Sequence, residues 1–161
     1  MISFEPHPAV LAAQSFHSEV PMVSIGLKGV IVGGLVAGVV LNVIDYVLYG
    51  VVLARDFADA MQALGKPPPD SLVPLFVLLD FIYGIILIYL YASIRPRFGP
   101  GPKTAIWAGF LMWVLVTVLH AVGEAPLGLL PMRLYLIGIA VSLIGIPLAA
   151  LAGARFYKEP A

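Results

Sequence analysis

The chain contains no cysteine, which removes disulfides, thiol redox catalysis, Cys-ligated zinc and Cys-bound iron–sulfur clusters from consideration. Charge is scarce as well. Asp, Glu, Lys and Arg make up 11% of the 161 residues, nine acidic against nine basic, for a formal net charge of zero. A nucleic-acid-binding face needs a surplus of Lys and Arg, so no nucleic-acid partner is expected. There is no GxSxG elbow, P-loop, dinucleotide fingerprint or HExxH helix. Bis-His haem ligation lacks a second histidine inside an apolar stretch, because His7 and His17 lie in the N-terminal tail. That tail, residues 1–23, holds no Lys or Arg, so the basic start of a secretory signal is absent.

What is present is apolar. Hydrophobic residues make up 61% of the chain, against about 45–50% in an ordinary soluble domain, which points to lipid as solvent. A helix needs about 20 mostly apolar residues to cross a bilayer core. Four stretches qualify, near residues 26–54, 72–94, 104–122 and 132–157, separated by links that carry Pro or Gly punctuation. The expectation is an all-α integral membrane four-helix bundle, one domain over residues 24–159, behind a partly disordered tail over residues 1–23. Met22 offers a second start just before the first span, and N-terminal sequencing of the native protein separates the two starts. Pro67, Pro68 and Pro69 stiffen the turn into the second span, and Pro147 is expected to kink the fourth.

Four spans return both termini to one side. That side carries Lys28, Arg95, Arg97, Lys103, Arg155 and Lys158, whereas the other carries Arg55, Lys66 and Arg133. The positive-inside rule then places both termini in the cytoplasm, as in a bacterial inner-membrane protein. Trp107 and Tyr157 suit anchoring at the inner boundary and Tyr135 at the outer one. In the link over residues 95–103, Arg95, Arg97 and Lys103 set topology or meet anionic headgroups, and a partner-docking role is a further reading. Thr104 stands where it would cap the third span.

Helical steps of three and four put Gly34, Gly38, Asn42, Asp45 and Tyr49 on one face of the first span, with Gly34 and Gly38 as a close-packing pair. The same steps join Gly109, Trp113, Thr117, His120 and Glu124 in the third span, and Gly138, Ser142, Gly145, Ala149 and Gly153 in the fourth. The second span contributes Asp80, Gly84, Leu87 and Tyr91. Sliding the first span by 75 residues pairs Gly34 with Gly109, Asn42 with Thr117 and Asp45 with His120. A parallel two-plus-two repeat and shared apolar composition both account for that match.

Asp45, Asp80 and His120 each interrupt a different apolar stretch. An Asp at membrane depth costs roughly 2.5–3.5 kcal/mol on insertion scales and faces the protein interior. At a rise of about 1.5 Å per residue all three fall in the outer half, roughly 25 Å from the inner edge for Asp45. Asn42, Thr117, Glu124 and Ser142 are the expected companions in one polar layer. A structural role is one reading, with these groups fixing helix register. A proton or ion site is the second, with a divalent-metal site on Asp45, Asp80, His120 and Glu124 as its variant. An enzyme with His120 as general base on a lipid or quinone is the third. No cofactor is expected.

The run Gly34-Leu35-Val36-Ala37-Gly38 leading to Asn42 resembles a family of small bacterial four-span membrane proteins to which no activity is attached. Ile94-Arg95-Pro96-Arg97-Phe98-Gly99-Pro100-Gly101-Pro102-Lys103-Thr104-Ala105 and the closing Ala- and Gly-rich residues 148–157 carry the same resemblance. It covers roughly residues 24–159 and implies the four-span fold alone. The overall expectation is a non-catalytic membrane component with an outer-half polar cluster, in contact with the bilayer and with a second copy or another membrane protein. A proton- or ion-coupled carrier using Asp45, Asp80 and His120 is the alternative.

Overall fold

The computed structural model describes residues 25–66 and 69–158. The N-terminal tail and the centre of the proline turn lie outside the described residues. Helix α1, Leu27–Asp45, continues without a break into a π-helical stretch, Tyr46–Val52. A short helix α2, Ala54–Ala63, follows. Helix α3 spans Val73–Phe98 and α4 spans Pro102–Trp113. A second π-helical stretch, Val114–Val118, joins α4 to α5, Leu119–Glu124, and α6 spans Met132–Ala154. Among the described residues, four helical rods are thus long and apolar enough to cross a membrane: Leu27–Val52, Val73–Phe98, Pro102–Leu127 and Met132–Ala154. The protein is an all-helical, integral membrane four-helix bundle.

The spans begin and end within a few residues of the expected limits, with instructive exceptions. Helix α3 runs on through Pro96 to Phe98. A proline in a final turn removes one hydrogen bond where few remain to be lost, and Gly99, at φ +82°, ends the helix. The third span starts at Pro102, whose missing N–H is already an orphan at that position. Thr104 therefore lies inside α4 rather than at its cap. Its hydroxyl donates back to the Gly99 carbonyl at 2.6 Å and closes the hairpin turn. Helix α6 passes through Pro147 unbroken.

Lipid-facing and protein-facing sides separate as the bilayer requires. Ile31, Leu35, Val39 and Val43 form one stripe of the first span, each 44–58% exposed. The opposite stripe is built for backbone approach. A Cβ on Gly34 would stand 2.5 Å from the Ile85 Cα, and one on Gly109 would stand 2.6 Å from the Pro147 Cα. With no hydrophobic drive between helices in lipid, such close van der Waals packing of small residues is what holds spans together. The core accordingly centres on Ala37, Ala105, Ala108, Ala149 and Ala150, all fully buried around Leu87 and Ile88.

The first span packs on the second and fourth, and the third packs on the fourth. The second span meets the third mainly along α4. At the end where they are joined, Lys28, Arg95, Arg97, Lys103, Arg155 and Lys158 gather, and this is called the basic end below. The far end carries α2, which the sequence reading leaves as a link. Its Phe57 and Ala60, together with Leu53, cover Leu48 and Leu134 in a second apolar cluster, and Arg133 Nη1 lies 3.4 Å from Asp56 Oδ1.

Candidate functional site

Asp45 closes α1 at the point where the helix widens into its π-helical stretch, and Asp80 sits two turns into α3. Close packing of Gly34 and Gly38 against Gly84 and Ile85 sets the register of these two helices. That register places both aspartates on the lining of one cavity. Asp80 is buried at 7% exposure, whereas Asp45 is exposed.

The pair lines a cavity of about 170 Å³ in the half of the bundle nearer the far end. Thr117 reaches it from the second π-helical stretch and Ser142 from α6, so all four spans contribute a polar group. Tyr49 and Tyr83 line it too. Tyr49 is braced on the Phe57 ring of α2, with ring centroids 5.9 Å apart, and a Cβ on Gly138 would stand 2.9 Å from its hydroxyl. Gly145 similarly leaves room for Ile44. The remaining walls are apolar, including Leu41, Leu87, Met112 and Ile146.

Four of the seven expected polar residues, Asp45, Asp80, Thr117 and Ser142, therefore share one cavity, and three do not. Asn42 donates instead to the Gly38 carbonyl at 2.9 Å and to the Val77 carbonyl at 3.4 Å, tying α1 to α3 beside the site. His120 and Glu124 are turned away. Their side chains meet each other, Nε2 to Oε2 at 3.2 Å, with the histidine 63% exposed. The Tyr135 hydroxyl donates to Glu124 at 3.5 Å, completing a separate chain at the rim.

The physical reason lies in the third span's geometry. Face-matching from Gly109 to Glu124 assumes an unbroken α-helix, but the stretch Val114–Val118 is π-helical. A π-bulge accommodates one extra residue, which turns everything beyond it by roughly 100°. Thr117 stays on the cavity side, while His120 and Glu124 swing off it. The metal set Asp45–Asp80–His120–Glu124 is consequently not assembled. Among the described residues no three His, Cys, Asp or Glu side chains come together as metal ligands.

Two further sequence assignments change. Tyr157 is no interfacial anchor. It is buried at 8% exposure, its hydroxyl accepts the Gly26 N–H at 3.3 Å, and its ring lies edge-on to Tyr91. Arg95 is also a packing residue, with its guanidinium 5.5 Å above that same ring. Trp113, read only as part of a face, donates its indole N–H across to the Ile139 carbonyl at 3.0 Å. Trp113 Nε1–H is a lone donor in an apolar span and needs an acceptor, which is the signal that could have singled it out. No protein-family model, curated protein or solved structure matches the chain.

Proposed function

We propose that the protein is a non-catalytic membrane component in which Asp45 and Asp80 share an exchangeable proton, or a small cation in its place, as the coupling group of a proton- or ion-coupled carrier. The observation that supports this reading is that two aspartates from different spans line one cavity together with Thr117 and Ser142. Intramembrane ionisable residues are functional by default, and a pair of this kind takes up and releases one proton with little rearrangement. His120 plays no part in this version, because it lies outside the cavity. The enzyme reading loses its base on the same ground.

The basic end faces the cytoplasm in this proposal, as the positive-inside rule prefers, and the membrane is the bacterial inner membrane, as the resemblance to small four-span bacterial proteins implies. Four helices enclose little pathway, so the carrier works as an oligomer. The experiment is reconstitution into liposomes that hold a trapped pH-sensitive dye under an imposed pH gradient. The expected result is dissipation of the gradient by the wild type and its loss in Asp45→Asn and in Asp80→Asn, with thermal unfolding in detergent unchanged. Wild-type vesicles as tight as empty ones would exclude the carrier. Variants that unfold earlier, together with that absence of flux, favour a second reading in which the pair fixes helix register, as the Asn42 bond to Val77 does.

A further inference from the structure

A groove of about 580 Å³ opens at the basic end, between the start of the third span and the end of the fourth. Its walls are apolar, with Ala105, Leu151 and Ala152 along the sides and Tyr91 at the base. Arg155 lines it at the mouth, and Lys103 follows directly on Pro102, another lining residue. Both cations are exposed, and neither makes an ion pair among the described residues. No acidic residue among the described residues lies at this end: Asp45, Asp56, Asp59, Asp70, Asp80 and Glu124 all belong to the other half.

The geometry points to a binding site for one anionic phospholipid, with its phosphate between Lys103 and Arg155 and an acyl chain laid along the groove. The argument is one of complementarity. An apolar channel that ends at exposed cations matches a molecule with an apolar tail and an anionic head, at the depth where a bilayer presents that head. Basic pockets between transmembrane helices bind anionic headgroups on the same electrostatic ground. The small side chains Ala105 and Ala152 leave the width that a chain needs. Arg95, at the same end, holds its guanidinium 5.5 Å above the Tyr157 ring. The site stands apart from the Asp45–Asp80 cavity and does not depend on its role.

Native mass spectrometry of the full chain in mild detergent, titrated separately with phosphatidylglycerol and phosphatidylcholine, tests the assignment. Phosphatidylglycerol is expected to be retained preferentially and to raise the thermal unfolding temperature of the wild type more than phosphatidylcholine does. Lys103→Gln and Arg155→Gln should each weaken retention about fivefold, the effect expected of one surface cation. Ala152→Phe, which fills the groove and keeps both cations, should weaken it as well, while Arg55→Gln at the far end should not. Equal retention of the two lipids overturns the proposal, as does wild-type retention by the Lys103→Gln/Arg155→Gln variant. Displacement of the lipid by inorganic phosphate reduces the site to an anion patch, and insensitivity to Ala152→Phe removes the acyl chain from the groove. Either result refutes it.

Discussion

A methyl group on Gly84 would collide with the Gly34 carbonyl oxygen and stand 2.5 Å from the Gly38 nitrogen, main-chain atoms that cannot swing aside. The first two spans are joined by this contact, and it also sets the register that brings Asp45 to Asp80. Gly84→Ala is therefore expected to lose about 1–3 kcal/mol through overpacking, read as earlier thermal unfolding in detergent. Gly123, on α5 with nothing within 4 Å of its Cβ position, provides the contrast. Gly123→Ala should leave stability unchanged or raise it by up to about 1 kcal/mol, the helix-propensity gain. Equal losses in the two variants would show that the seam is not the determinant. His120→Ala belongs with the second kind of site, since an exposed (i, i+4) pair contributes only about 0.3–0.5 kcal/mol.

At the scale of elements, most of the fold is legible because lipid imposes long apolar runs and the links announce themselves with Pro and Gly. The glycine faces are legible for the same reason: only small residues permit the backbone approach seen at Gly34 and Gly109. The π-helical stretches are not. Val114–Val118 reads Val-Leu-Val-Thr-Val, a sequence that an α-helix accepts equally, so nothing local announces the widening. That one feature decides which members of the expected layer enter the cavity. Helix α2 escapes because it is short and half polar, and its apolar residues Phe57 and Ala60 gain meaning only once Leu134 lies beneath them. Deleting exposed Leu115 from the π-helical stretch should restore regular α-helix and rotate residue 120 back toward the cavity. In the chain lacking Leu115 and carrying His120→Cys, labelling by a membrane-impermeant maleimide should fall several-fold relative to His120→Cys alone. Unchanged labelling would mean that the bulge does not set the rotation.

For the molecule as a whole, the absence of cysteine makes topology directly measurable, because any introduced thiol is unique. With the basic end in the cytoplasm, an impermeant maleimide applied to intact cells should modify Gln62→Cys on the last turn of α2 and spare Lys158→Cys. The reverse pattern would invert the proposed orientation. The asymmetry of the two ends runs deeper than charge. One end is pinned by the Gly99–Gly101 hairpin and by the Tyr91–Tyr157–Arg95 contacts, while toward the other the second and third spans both border the cavity that Asp45 and Asp80 line. Two spans fastened to each other at one end meet the surrounding leaflet beside that cavity, so bilayer thickness is the variable to change when its role is measured.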